Sequence, residues 1–272
     1  MASLEAIPLE RPEPRFLRPR WLGAWTYFAY SYKRTWRGSL TTSFLYPVLY
    51  LAAMGLGLGS LVDHHVGHVG GVSYLHFLAP GLLAATAMQV GGSESMYPIM
   101  NAIKWDKTYF AMLATPLSYK DVLRGHVAWI TCRLLTVCAI YLVVLAAFGA
   151  TPSDLAVLAI FAGVLTGLAF VLPIVAYSAL QTSQMGFTAI YRVGLIPMFL
   201  FSGTFFPIAQ LPGWLRTIAY ATPLYHGVAL CRGLVIGGMS GTAALAHIGY
   251  LVAISLVGYG FALRNYRTRL VI

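Results

Sequence analysis

The sequence predicts an all-α membrane protein with six transmembrane helices, an N-terminal interfacial amphipathic helix, and short external re-entrant helices between spans five and six. Three observations lead there. Only 10% of the 272 residues are charged while 58% are hydrophobic, with a mean hydropathy of +0.73; a soluble domain carries about 25% charged residues. Apolar runs recur at about 39–61, 76–99, 124–148, 154–181, 187–208 and 243–263, each matching the roughly 20 residues that a helix needs to cross the hydrocarbon core. The positive charges, which give a net charge of +10, gather at alternate ends of these runs. That placement suits anionic headgroups and topology, not nucleic acid.

The first element is a tail. Residues 1–20 hold four Arg, three Glu and four Pro with no apolar core, so no cleavable signal peptide is indicated and residues 1–19 read as a disordered cytoplasmic tail. From 20 to 37, Trp21, Leu22, Trp25, Phe28, Ala29, Tyr32 and Trp36 recur at three- to four-residue spacing, flanked by Arg20, Lys33, Arg34 and Arg37. This is the pattern of a helix lying in the interface, rings at headgroup depth and basic groups toward phosphate. Residues 38–272 then form the six-span domain.

Orientation follows from Lys and Arg. Seven precede the first span (Arg11, Arg15, Arg18, Arg20, Lys33, Arg34, Arg37), Lys104, Lys107, Lys120 and Arg124 lie between spans two and three, and Arg264, Arg267 and Arg269 follow the last. The loops 62–75 and 149–153 have none. Both termini are therefore expected in the cytoplasm of a multi-pass cell-membrane protein. The apolar segment 209–241 is interrupted by Pro212, Gly213, Pro223, Gly227, Gly233, Gly237 and Gly238; two short helices suit it better than a full crossing.

Little in the chain points to catalysis. There is no P-loop, no GxSxG elbow, no HExxH helix, and only eight carboxylates, so no catalytic residue, metal site or bound cofactor is expected. Asp63, His64, His65 and His68 have ligand-like spacing, but a Gly-rich solvated loop accounts for them. Cys132, Cys138 and Cys231 form no ligand or disulfide pattern. Two ionisable groups inside spans carry more weight, since each costs about 2.5–3.5 kcal/mol at a bilayer centre. Glu94 in span two and Arg133 in span three are expected either to pair across neighbouring helices or to face a polar path. The loop 100–121 mixes charges with Trp105, Tyr109, Phe110, Met112 and Leu113 before Pro116; its short amphipathic helix needs lipid or a protein groove to cover its apolar face.

These segments resemble a known family. Tyr74-Leu75-His76-Phe77-Leu78-Ala79-Pro80-Gly81-Leu82, the loop Trp105 to Leu117, the stretch Phe201-Ser202-Gly203-Thr204-Phe205-Phe206-Pro207-Ile208-Ala209-Gln210-Leu211-Pro212, then Pro223-Leu224-Tyr225-His226 and Arg232 are similar to type-2 ABC export permeases of the NodJ-like and daunorubicin-exporter-like group. The resemblance covers about residues 20–269. It implies a transmembrane subunit that pairs with a second permease copy, identical or related, and binds a cytoplasmic ATPase dimer carrying the ATP and Mg. It also implies a coupling contact at Lys104, Trp105, Asp106, Lys107, Thr108 and Tyr109, and an outer gate at Ser202, Gly203, Phe205, Phe206 and Pro207. The expected function is ATP-driven export of an amphipathic substrate, a lipid-linked saccharide or a hydrophobic drug, by a non-catalytic subunit in contact with membrane lipids. The alternatives are a membrane-embedded lipid-modifying enzyme and an ATPase-independent channel.

Overall fold

The computed structural model describes residues 19–34, 36–38, 45, 48–65, 67, 69 and 71–271. The expected tail at 1–19, the first half of span one with Pro47, and His68 lie almost entirely outside these residues. Among the described residues every regular element is helical, apart from one isolated bridge between Val69 and Val72.

The order is α1 (Trp21–Tyr32), α2 (48–65), α3 (Tyr74–Ser95), α4 (Tyr97–Lys104), α5 (Thr108–Leu113), α6 (Tyr119–Ala147), α7 (Ala159–Ser178), α8 (185–201), α9 (Gly213–Tyr220), α10 (Pro223–Ile236) and α11 (Gly241–Leu270). Two helices carry π-helical segments: Leu51–Leu58 in α2 and Ile190–Leu195 in α8. By length and composition three stretches can cross a membrane, Tyr119–Ala147, Asp154–Ser178 and Gly241–Leu270. The 29 residues of α6 reach about 43 Å at 1.5 Å per residue, beyond the roughly 30 Å hydrocarbon core.

Several boundaries differ from the sequence expectation, each for a local reason. The interfacial helix ends at Tyr32, and a turn at Lys33–Arg34 separates it from 36–38. Span two was expected to run to 99, but the helix breaks at Met96 (φ −92°, ψ −89°), two residues before Pro98; proline has no N–H for the ladder and its ring clashes with the carbonyl four residues back, so it is tolerated only in the first turn of the helix that follows. Span five was expected to reach 208. It stops at Phe201 because Gly203 takes φ +83°, a left-handed conformation that glycine adopts without steric cost. In 209–241 the chain forms the two short helices α9 and α10, separated by a turn ahead of Pro223.

Strong local signals start these helices. Ser118 and Asp121 form a reciprocal capping box at α6, with Ser118 Oγ and N–H both donating to the Asp121 carboxylate (2.6 and 3.0 Å) and the Asp121 N–H donating back to Ser118 Oγ. Thr222 at α10 and Ser240 at α11 each accept the N–H of the third residue on, Tyr225 and Ala243, without the return bond. Asp63 at the end of α2 accepts the Tyr74 N–H at 3.0 Å, so it serves the start of α3.

The core sits where α3, α6, α7, α10 and α11 meet, with α1 laid along α6. Small residues allow the close approach. Gly163 and Gly167, one turn apart on α7, face α3 and α6. A Cβ on Gly167 would stand 2.7 Å from Leu134 Cδ1 and 3.2 Å from the Ala87 carbonyl, the small-xxx-small logic of membrane helix pairs. Gly167→Val is expected to cost about 1–3 kcal/mol by overpacking this seam, seen as a lower unfolding midpoint in detergent; an unchanged midpoint would show the seam can spread freely. In contrast α2 and α8 stand at the edge of the bundle, with Leu49, Leu58, Leu61, Met185, Val193 and Leu200 exposed.

Candidate functional site

Three clusters follow one another along the bundle. The first surrounds the α4–α5 turn. Lys107 at its centre is left-handed (φ +50°), a conformation costly for a residue with a Cβ. The turn leaves Lys104, Trp105, Asp106 and Lys107 exposed, with Trp105 50% accessible. Lys104 Nζ donates to the Thr182 carbonyl at 2.6 Å and lies 5.7 Å from the Trp105 ring, so the turn is braced against the α7–α8 connection.

Two residues on, the environment inverts. Thr108 is half-buried and Tyr109 is fully buried. The Tyr109 hydroxyl is hydrogen-bonded to His126 Nδ1 on α6 and lies 3.3 Å from the Tyr266 hydroxyl on α11. Phe28 of α1 stacks on His126, centroids 4.2 Å apart. Burial, with the Tyr266 phenol beside it, holds the Tyr109 hydroxyl well above the usual phenol range, so it stays a neutral hydrogen-bonding group. Tyr109 therefore differs from the exposed contact that the family resemblance implies: its side chain is an inward anchor for α5. An amphipathic ring fits either role in sequence; only the packing of α6 and α11 around it decides.

Beside these residues α1 and the segment 112–117 form a groove of about 680 Å³. Trp25, Tyr27, Met112, Pro116 and Leu117 line it with Arg20 at one end. α1 docks on α6 through Ala24; a Cβ on Gly125 would sit 2.6 Å from the Ala24 Cβ.

The second cluster is the Glu94–Arg133 pair. Arg133 Nε donates to Glu94 Oε1 at 3.3 Å, and Arg133 Nη1 donates to the Tyr32 hydroxyl, with the guanidinium 4.3 Å from the Tyr32 ring centre. This is the one ion pair among the described residues. Arg133 is buried and Glu94 is 26% exposed, so the pair ties α1, α3 and α6 together at the edge of the core. The sequence pointed to Glu94 and Arg133 through the cost of charge in lipid; Tyr32 was visible there only as one ring in an aromatic repeat.

The third cluster is the turn after α8. Ser202 is buried and its hydroxyl lies 3.0 Å from Thr222 Oγ1. Arg232 on α10 donates from Nη2 to the Gly203 carbonyl (2.9 Å) and from Nε to the Phe77 carbonyl (3.1 Å), its guanidinium 3.8 Å from the Phe77 ring centre. Phe77 lies one turn before Pro80, which has no N–H to give to the helix ladder. One arginine thus gathers carbonyls from a proline-containing helix and a glycine turn. Phe205 packs edge-on to Phe199 (5.0 Å) and near Tyr50 (6.3 Å), bridging α8 and α2. Phe205, Phe206 and Pro207 line a cavity of about 650 Å³ with Tyr50, Met54 and Phe201, and its walls are almost wholly apolar. No group of three or more metal-ligating side chains occurs among the described residues.

The candidate residues are therefore not one site: 104–109, Glu94 with Arg133, and 202–207 are separate stations on one bundle. The ABC-2 type transporter family profile matches residues 23–236, which spans all three. The chain is 34% identical over 217 residues to Nodulation protein J of Rhizobium leguminosarum bv. trifolii, covering 80% of this chain and 81% of the relative. Nodulation protein J of Rhizobium leguminosarum bv. viciae is 32% identical over 250 residues (92% and 95%), and that of Rhizobium meliloti (strain 1021) 30% over 250 residues (92% and 94%). A match over most of its length, on a helical bundle with membrane-spanning stretches, means that this chain belongs to the ABC-2 type transporter family, as a membrane-integral transport permease.

Proposed function

We propose that this permease is the transmembrane subunit of an ATP-driven exporter that pairs with a second permease chain and docks a cytoplasmic ATPase dimer through the α4–α5 turn. The carrying observation is the contrast within that turn: Trp105, Asp106 and Lys107 are exposed while Tyr109, two residues away, is fixed in the core. Such a knob is suited to pass a push on its tip into α6 and α11. The groove between α1 and 112–117 supplies adjoining apolar surface for a partner. The family's carriers work with separate ATPase subunits, and this chain has no P-loop of its own.

Six spans with both termini in the cytoplasm is the topology supported by the placement of Lys and Arg. It puts 104–107 on the cytoplasmic side and the 202–207 turn on the outer side. The apolar cavity between α2 and the α8 turn then supports a path for an amphipathic substrate, a lipid-linked saccharide or a hydrophobic drug, at the boundary with the second permease. Aromatic walls with few hydrogen-bonding groups select for apolar area and not for one headgroup.

The double variant Trp105→Ala/Lys107→Ala tests this reading. Loss of an exposed aromatic anchor at a docking point typically costs about 2 kcal/mol or more of affinity, about 30-fold. Nucleotide-dependent export in vesicles and ATPase copurification should fall together, with insertion and thermal stability unchanged. Unchanged export removes the docking assignment, and export that runs without nucleotide or any ATPase partner removes the exporter reading itself.

A further inference from the structure

We infer that His226 on α10 and His247 on α11 form a proton-binding latch, closed while at least one of the two rings is neutral and released when both are protonated. The rings are 21 residues apart in sequence, on successive helices, and their Nδ1 atoms lie 2.8 Å apart. Two imidazole nitrogens at that distance need one proton between them. His226 Nε2 lies 3.1 Å from the Tyr220 carbonyl, which can only accept, so the neutral His226 ring carries its proton on Nε2 and offers Nδ1 as acceptor. His247 must then donate from Nδ1, and its Nε2 holds a bare lone pair.

The two protonation steps act in opposite directions. A first proton on His247 Nε2 leaves the bridge intact and makes it a charge-assisted bond. A second proton belongs on His226 Nδ1, where it removes the acceptor and sets two imidazolium ions in contact. The surroundings offer no compensation. Tyr250 of α11 stacks on His226 with centroids 3.8 Å apart, and Tyr225 of α10 stands edge-on to both rings. Neither tyrosine ring supplies a negative charge, since an ordinary phenol is neutral in the range where imidazole titrates. The charged groups on the same elements are cations: Arg232 on α10, Arg216 on α9, which is held by the Ala209 and Leu211 carbonyls, and Arg264, Arg267 and Arg269 toward the far end of α11. Among the described residues no carboxylate lies within ion-pair distance of either ring.

The sign follows from proton binding. Once apart, both rings titrate near the ordinary imidazole value of about 6.5, whereas the closed pair takes only one proton. The released state binds more protons below that value, so the latch is held above about pH 7.5 and weakens as the pH falls toward 5. Release matters because α10 also carries Arg232, which holds the Gly203 and Phe77 carbonyls. A loosened α10 loosens the turn after α8 with it. That the latch reads external pH rests on the orientation proposed above; the latch itself does not.

The test uses the full chain in lipid nanodiscs, where both faces meet the same pH. In ¹⁵N-histidine spectra at pH 7.5, one of the two rings should be the Nε2–H tautomer and the other the Nδ1–H tautomer. Amide exchange across 223–236, corrected for intrinsic rates, should rise about tenfold between pH 7.5 and 5, the change carried by one unit of pKa difference between the states. His247→Gln should abolish that rise, because its amide can donate to a neutral His226 or turn its oxygen to accept from the cation. Identical tautomers at pH 7.5, an exchange rate indifferent to pH, or a full acid response in His247→Gln each overturn the latch. If that variant does not fold, the wild-type tautomers decide alone. In sealed vesicles, release by acid only on the side of the termini would keep the latch and overturn the orientation.

Discussion

Arg133→Ala is expected to lower stability by about 3 kcal/mol, toward the lower end of the range for breaking a buried ion pair. The loss of attraction is the smaller part. The larger part is Glu94, left ionised or forced to take a proton at the edge of an apolar core, and Tyr32, whose hydroxyl loses its donor. The lower end applies because Glu94 is 26% exposed and water can reach it. Removing both charges should do less harm than removing one: Glu94→Leu/Arg133→Met keeps the volume and leaves nothing to desolvate, and should recover most of the loss. Unfolding midpoints in detergent for the two singles and the double give the coupling directly. If Arg133→Ala and the double are equally destabilised, the pair matters only as packing.

Tyr109→Ala is expected to cost about 3–5 kcal/mol, the range for emptying a fully buried aromatic site, because the ring fills the space between α5, α6 and α11 and its hydroxyl satisfies His126. Tyr109→Phe keeps the volume and leaves buried His126 Nδ1 without its hydrogen-bond partner, at about 1–3 kcal/mol. Exposed neighbours should behave otherwise: Trp105→Ala and Lys107→Ala alone should each fall within about 0.5 kcal/mol. The same loop thus separates into residues read out by stability and residues read out by export. A Tyr109→Ala protein as stable as its parent would mean that α5 is not anchored in the core.

Much of this was visible in the chain, and the reasons are physical. Lipid penalises charge so heavily that Glu94 and Arg133 announce themselves, and proline and glycine at 212, 213, 223, 237 and 238 mark where backbone departs from helix, so α9 and α10 could be placed in advance. Periodicity placed α1 but not its end, because the aromatic repeat continues to Trp36 past the turn at Lys33–Arg34. What stayed hidden depends on partners far apart in sequence. Tyr109 looks like surface until α11 brings Tyr266 to it, 157 residues away. His226 looks like part of a motif until α11 turns back and presents His247. The family resemblance placed the contact 104–109 as one unit, and the structure divides it between surface and core.

The two π-helical segments, Leu51–Leu58 and Ile190–Leu195, lie in the helices at the edge of the bundle, α2 and α8, whose side chains face the apolar cavity. In such a segment each N–H reaches five residues back instead of four, so the ladder stores one residue more than an α-helix would. Drawing that residue back turns everything beyond it by about 100° around the helix axis, while the backbone exchanges one set of hydrogen bonds for another and exposes none to lipid. Val62 on one wall and Leu200 and Phe201 on the other lie beyond these segments and are thus mounted on axles. The cavity can change its lining by rotation, without either helix tilting or leaving its place.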